Sequence, residues 1–555
     1  MRRITQLFYL FLSTQLRSVQ AQASTPQPDT LSLQPQDPSA FFLSEIQGQP
    51  PQTRTFNFDI TEVNGAPDGV KRTMLVVNKM FPGPTIEVNQ ADRLVVNVHN
   101  GLTNKTSIHW HGLFQNGTAF FDGVSGISEC GIPPGETLTY NFTFGEFSGT
   151  TWWHALSTEY TDGITGALIV HATAPNPPST PKYDAELVLQ LSDWYHLLSA
   201  SYLPQFLSAE GIMGLPGAEP VPDTGLINGI GQYHGKGSFF TVGFQHLYRL
   251  RLIHTGSFPS LRFSIDSHVL TVIEVDGTIV QPMQIAGVQL GVAQRISVLL
   301  TTNQKPNVYW MRSELDTAMY NYVNPGQVTD IRGVIRYSNF KSNVTVPVNT
   351  TDPGPGNPKV PDFSEAAARP AIAVNPPAST KQYDLSFIFN PGPTGGVLAF
   401  INNISWVPLT NTFTMTEVQA APITFAPEGL QTLNQNTLVL TEMNLQTIDL
   451  RVNNLDNGPH PFHLHGNKFW IVGEGAGTYT NQKLNSNNPL SRDTIIIPAS
   501  SWVVLRFIGD NAGIWAFHCH IAWHMASGLL MQIVIQPSKI AAAAIPGAIT
   551  QQCAS

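Results

Sequence analysis

Phe517-His518-Cys519-His520-Ile521-Ala522-Trp523-His524, with Leu529 a little further on, packs several candidate metal positions into one strand and the turn after it. Side chains of a strand alternate between faces, so His518 and His520 share one face while Cys519 points to the other. The stretch therefore serves two sites back to back, joined by a short covalent bridge. On the cysteine side, a thiolate with two imidazoles is the trigonal set of a blue-copper electron-transfer centre, and His524 plus one distant histidine completes it. On the histidine side, two imidazoles await partners.

The partners lie in two further clusters, His460-Pro461-Phe462-His463-Leu464-His465 and, far upstream, His109-Trp110-His111 with His154. Nine of the chain's 16 histidines thus fall in three short stretches. An isolated His-x-His pair is as readily a surface or core pair as a ligand pair, but three clusters beside a cysteine point to copper.

The rest of the composition describes an exported β protein. At 555 residues the length accommodates about three or four domains, each able to bury its own core. Charged residues make up 12%, while 45 Gly and 42 Pro punctuate many short strands. A net charge of -9 offers no basic footprint for nucleic acid. Arg2 and Arg3, the apolar run Leu7 to Leu12 and Ala21-Gln22-Ala23 read as a secretory signal with a small-residue cleavage site. No other segment has the length and apolarity of a membrane span. Six glycosylation sequons, at Asn104, Asn116, Asn141, Asn343, Asn349 and Asn403, agree with secretion. With Cys519 assigned to metal, Cys130 and Cys553 are left. In an oxidising compartment they either pair, tying the tail to the first domain, or remain two separate thiols.

Two Pro-rich stretches, from Ala172 to Pro181 and from Asp352 to Pro377, lack a sustained apolar pattern and read as linkers. Elsewhere alternation predicts strands, as in Arg93-Leu94-Val95-Val96-Asn97-Val98 and Trp502-Val503-Val504-Leu505-Arg506-Phe507. The chain divides into a signal peptide at 1–23, domains at 50–175, 182–350 and 383–540, and a tail at 541–555. Three β-sandwiches are the expected product.

An internal repeat supports that division. In the first domain a strand leads into His109-Trp110-His111-Gly112 and a later one into Trp152-Trp153-His154-Ala155-Leu156; in the third, His463-Leu464-His465-Gly466 is followed by Phe517-His518-Cys519-His520. Superposing His154 on His518 puts Ala155 on Cys519 and Leu156 on His520, so one expected ligand is missing. The middle domain has no His-x-His and reads as a copper-free spacer that lets the outer domains meet.

Together these motifs resemble the signature regions of the multicopper oxidases, in their fungal laccase-like form, from about Arg54 to Gln536. The resemblance implies an all-β chain of three consecutive cupredoxin-like, Greek-key domains. It implies electron uptake at a mononuclear type 1 copper and reduction of O2 to two waters at a trinuclear cluster between the first and third domains. Carried over by motif, His460, Cys519 and His524 bind type 1 copper, with His460 the electron entry. His109 and His463 match the type 2 ligands, and His111, His154, His465, His518 and His520 match type 3 ligands. Four copper ions are implied, but Leu156 stands at the sixth type 3 histidine, leaving one ion with His465 and His518. The stretch fits the family better if one residue has been lost between Ala155 and Leu156. A weakened but functional site, a copper protein that reduces O2 poorly and an inactivated variant are the three readings of that loss. Leu529 takes the axial position, where an aliphatic side chain raises the type 1 potential relative to methionine.

For the donor, the resemblance implies small phenolic or aromatic molecules oxidised by a secreted, monomeric enzyme with no nucleic-acid or membrane partner. Asp223 matches a carboxylate placed near the phenol hydroxyl, although it also reads as a turn or capping residue. The alternatives are a ferrous-iron oxidase of the same family, using Asp456 and Asp193, and an electron carrier impaired in O2 reduction by Leu156.

Overall fold

The computed structural model describes residues 33, 35–44, 46–173, 180–231, 237–347, 350–352, 359–421, 427–433 and 435–554; the expected signal segment lies outside them. Alternation becomes burial as predicted: in Arg93–Asn100 the side chains of Leu94, Val96, Val98 and Asn100 are buried and those between them are more open.

Six sheets pair into three sandwiches. The first joins two four-stranded sheets drawn from Thr53–Gly65 to Thr165–His171, the second a six- and a five-stranded sheet between Ala185–Trp194 and Asp330–Tyr337, and the third two six-stranded sheets between Lys381–Pro391 and Leu530–Ile535. The same parallel pairing recurs in each: Thr53–Gly65 with Arg93–Asn100, Ala185–Trp194 with Leu247–His254, and Lys381–Pro391 with Thr447–Asn454. The middle sandwich is thus the third copy of the repeat, one whose histidine pairs are absent.

One apolar cluster runs continuously through the first and third sandwiches, from Val96, Ile108 and Trp110 to Phe462, Trp515 and Ile533, whereas the middle sandwich keeps a cluster of its own. The outer domains therefore meet directly. Cys130 and Cys553 are disulfide-bonded across 423 residues of sequence, and Lys105 Nζ adds a 2.8 Å bond to the Gln552 carbonyl, so the tail is fixed to the first domain.

The second Pro-rich stretch differs from its reading as a free linker. Its described part lies along the middle sandwich, with Ala286 N donating to Pro361 O, Phe363 N to Gly287 O and Gln281 N to Arg369 O. Arg262 clamps it through Asp352 at 2.7 Å and Asp362 at 2.7 Å. A chain that cannot build a core of its own is held by an existing sheet and by charge.

Candidate metal centre

Four strands deliver His109, His111, His154, His460, His463 and His518, with His465 and His520 in the residues just after a strand and His524 on the short helix Ala522–Ala526. Ile108–His111 pairs with Gly149–Ala155 so that His109 faces His154, and His460–Leu464 pairs with Gly513–Cys519 so that His463 faces His518. These equivalent registers, one in each outer sandwich, are the repeat seen in the sequence. A glycine closes each His-x-His with a positive φ that a side chain would strain, Gly112 at 72° and Gly466 at 64°. A Cβ on Gly112 would lie 2.8 Å from both Arg295 Nη2 and Asp493 Oδ2, and one on Gly466 would lie 2.4 Å from the Trp515 ring.

The motif histidines converge. The rings of His111, His154 and His520 form a triangle with centroid separations of 5.7, 5.1 and 5.1 Å. His465 Nε2 and His518 Nε2 stand 2.9 Å apart, and His109 and His463 are 5.9 Å apart between them. On the other face of the strand, Cys519 Sγ lies 3.8 Å from His460 Nδ1 and 3.6 Å from His524 Nδ1, and the two nitrogens are 3.0 Å apart. All ten candidate ligands are buried.

The donor chemistry fits metal. His109 Nε2, His111 Nδ1, His154 Nε2, His463 Nε2 and both ring nitrogens of His520 are buried without a hydrogen-bond partner, a costly state for polar groups unless a ligand completes them. Burial, helped by neighbouring imidazoles, holds His111, His154, His465 and His520 well below the usual histidine range, and His518 falls to about 3. The rings are therefore neutral, the form that binds a cation. Burial pushes the Cys519 thiol up, so its proton leaves when a cation replaces it.

Carboxylates and carbonyls fix the opposite ring nitrogens. Asp122 Oδ2 holds His465 Nδ1 at 2.8 Å while the Asp122 carbonyl accepts from His109 Nδ1 at 2.7 Å. The Asp493 carbonyl takes His463 Nδ1 at 2.9 Å. Such partners set tautomer and ring orientation. Nearby histidines hold the Asp122 carboxyl well below the usual range against burial, and the Arg295 guanidinium does the same for Asp493.

Leu156 is 5% exposed and packs with Leu203, Trp406 and Met525 around a cavity of about 350 Å³. Among the described residues His465 and His518 face each other, and the nearest further rings to His465 are His109 at 4.0 Å and His463 at 4.8 Å between centroids. Leu529, fully buried, accepts from Cys519 N through its carbonyl and is aliphatic.

The carboxylates expected near the electron entry have different partners. Asp456 Oδ2 does lie 3.1 Å from His460 Nε2. Asp223 instead accepts from His196 N at 2.7 Å and Asn324 Nδ2 at 3.0 Å, and Asp193 is buried under Ser257 N and Oγ. The carboxylate on the second histidine is Glu219, whose Oε1 lies 2.8 Å from His524 Nε2 and whose Oε2 accepts from Asn321 Nδ2 at 3.2 Å. Sequence reading passed over Glu219 because it sits in the aperiodic loop Leu215-Pro216-Gly217-Ala218-Glu219-Pro220. Its only signal is an acid isolated among apolar residues four positions before Asp223.

Three sandwiches around a buried cysteine and histidine constellation define an oxidase class, and comparison with known proteins identifies it. Residues 59–175, 185–339 and 407–539 each match a multicopper oxidase family. Laccase-1 of Cryptococcus neoformans var. grubii is 34% identical over all of this chain and 93% of its own length. The iron transport multicopper oxidase FET3 of Gibberella zeae is 34% identical over 90% of this chain and 79% of its own. The crystal structure of Fet3p, described as a multicopper oxidase that functions in iron import, superposes with a TM-score of 0.82 at 29% identity, covering 90% of this chain and 94% of that one. The chain belongs to the multicopper oxidase family, in its fungal laccase-like form. It is a copper-dependent oxidoreductase with O2 as acceptor.

Proposed function

We propose that the protein oxidises small phenolic or aromatic donors one electron at a time beside His460 and His524 and passes the electrons through Cys519 to the histidine cluster, where O2 becomes two waters. In this reading His460, Cys519 and His524 hold type 1 copper, His109 and His463 type 2, and His111, His154, His465, His518 and His520 the type 3 pair. Copper supplies the one-electron redox chemistry at both places. The chain supplies the wiring, since Cys519 is bonded in sequence to both His518 and His520.

The supporting observation is a carboxylate on the outer nitrogen of each type 1 histidine. A phenol that loses an electron also loses a proton, and Glu219 or Asp456 accepts it where the electron leaves. Exposed apolar side chains flank both acids in sequence, Met213 and Leu215 before Glu219 and Leu455 before Asp456, and these suit an aromatic ring. Four donors then give four electrons and four protons to one O2.

A second reading, ferrous-iron oxidation, is favoured by there being two such carboxylates, because hard oxygen anions bind iron and stabilise its oxidised form. Parallel kcat/KM measurements for a diphenol and for ferrous iron, on wild type, Glu219→Gln and Asp456→Asn, decide between them. The phenol reading expects a fall of about tenfold or more for the diphenol. Loss confined to iron, with diphenol oxidation intact, overturns it. Secretion belongs to the same proposal, supported by the disulfide in a chain whose remaining cysteine is a ligand.

A further inference from the structure

A small cavity lies at the seam between the first and second sandwiches, behind the histidine cluster. Its volume is about 10 Å³, and Tyr160, Thr165, Gln190, Asp193 and Trp194 are among its walls. Four polar atoms of those walls are buried with no hydrogen-bond partner: Thr165 Oγ1, Gln190 Oε1, Gln190 Nε2 and Trp194 Nε1. Space for one probe sphere, ringed by several orphaned donors and acceptors, is the signature of an ordered-water site.

Tyr160 separates this water site from the cluster. Its ring centroid lies 5.2 Å from that of His154 and 5.8 Å from that of His520, and its hydroxyl donates to the His520 carbonyl at 3.0 Å. Asp193 lies on the water side. Its Oδ1 accepts from Ser257 N at 2.6 Å and its Oδ2 from Ser257 Oγ at 2.9 Å, while the Ser257 carbonyl accepts from Ala522 N at 2.9 Å, inside the turn between His520 and His524.

Reduction of O2 consumes protons as well as electrons: O2 + 4 H⁺ + 4 e⁻ → 2 H2O. The acids that touch the cluster are already engaged, Asp122 Oδ2 with His465 Nδ1 at 2.8 Å and Asp493 with Arg295 through two 2.6 Å bonds. Burial, by contrast, raises the Asp193 carboxyl above the usual range despite the two Ser257 donors. Asp162, also raised, is committed to Arg72 at 2.6 Å and to Ser199.

We propose that Asp193, with water held in the seam cavity and aligned by Tyr160, is the proton store that serves O2 reduction at the histidine cluster. For each electron delivered it gives one proton through the cavity water toward the cluster, becomes a carboxylate, and takes up one proton from solvent, so that four cycles supply the four protons one O2 consumes. Asp193 touches no reacting atom and acts as a positioning and relay residue. The inference rests on the trinuclear reading above.

The titratable groups around Asp193 are Tyr160, Tyr195 and Tyr320, all pushed up by burial, and His254, held down to about 4. Arg72, over the Trp194 ring, is paired with Asp162. An acid limb raised above the ordinary carboxylate range therefore reports Asp193.

The test uses the copper-loaded enzyme and Asp193→Asn. Anaerobic bleaching of the blue centre by a donor should be unchanged, while reoxidation by O2 slows about tenfold or more and loses its acid limb. Independently of turnover, the infrared difference spectrum of copper-free wild type minus copper-free Asp193→Asn, taken at a pH just above the ordinary carboxylate range, should show a protonated-carboxyl band over and above that of Glu129. Should Asp193→Asn fold poorly, Gln190→Leu, which dries the cavity and leaves the carboxyl, should slow reoxidation in the same way. Unchanged reoxidation in these variants, or no protonated-carboxyl band in the wild-type-minus-Asp193→Asn difference spectrum, overturns the proposal. A wild type that bleaches but is never reoxidised overturns the trinuclear reading and this one with it, and that failure appears before any variant is made.

Discussion

Glu129 shows what a single buried acid does to this fold. It is wholly enclosed in the first sandwich, with only the Tyr140 hydroxyl, 3.3 Å from both its oxygens, as partner. Burial, with a smaller push from Asp122, raises its carboxyl to about 8. Below its unfolded value near 4.5 both states carry the proton, so the group is neutral in the balance. Between 4.5 and about 8 the unfolded chain releases the proton and the native state keeps it, so the unfolded state binds fewer protons and stability falls as pH rises. Glu129→Gln keeps a neutral partner for Tyr140 at every pH. It should flatten the decline, and near pH 8 the variant should exceed wild type by about 3 kcal/mol in denaturant unfolding. Parallel pH profiles of wild type and variant would contradict a protonated native Glu129.

The strand is the scale at which the sequence was most legible, because the two-residue period that puts His518 and His520 on one face is a property of extended backbone and needs no tertiary information. The same period made the gap at Leu156 visible against His520. Loops carry no such period. Glu219 arrives from the second sandwich on a turn whose Gly217 has a φ of 78° and would bring a Cβ within 3.0 Å of Val397, a constraint that only the folded chain possesses. Asp223, in the turn-like Pro222-Asp223-Thr224-Gly225, was the more readable acid yet serves His196 and Asn324. Asp122 and Asp493, which orient the cluster histidines, were also unmarked, since a lone aspartate in a connection looks like any turn residue. Strand alternation makes its own prediction at Leu156. Inserting one histidine between Ala155 and Leu156 continues the in–out order of His154 and Ala155 and should bring a third imidazole to His465 and His518. On dialysis against a chelator, wild type should lose one copper before the others, and the insertion should tighten that ion by about tenfold or more, as elemental analysis reads it. Equal copper retention in the two proteins would mean that the corner is completed without a third histidine.

At the scale of the whole molecule, the middle sandwich holds no copper motif but sets the cluster through charge. Arg295, at the start of its strand Arg295–Thr301, reaches into the third sandwich and grips Asp493 with two 2.6 Å bonds, both side chains being fully buried. In return Arg492 of the third sandwich reaches Asp276 of the second at 2.9 Å. Asp493 then stands 3.4 Å from His111 Nε2 and 3.5 Å from His463 Nδ1, so an interdomain ion pair also orients one histidine from each outer domain. Removing one partner of a buried pair strands the other charge, which costs more than the pair contributes. Arg295→Met keeps the length and packing of the side chain but leaves the Asp493 carboxylate uncompensated beside two neutral imidazoles. The variant should lose about 3–5 kcal/mol of stability. Released from Arg295, Asp493 should turn to His111 and His463 and raise their proton affinity, so copper bound by the cluster should fall away first as pH is lowered. Cys519, His460 and His524 have no contact with Asp493, and the blue absorption should survive at pH values where the cluster has emptied. Blue absorption and cluster copper declining together would instead place the damage in the third sandwich as a whole.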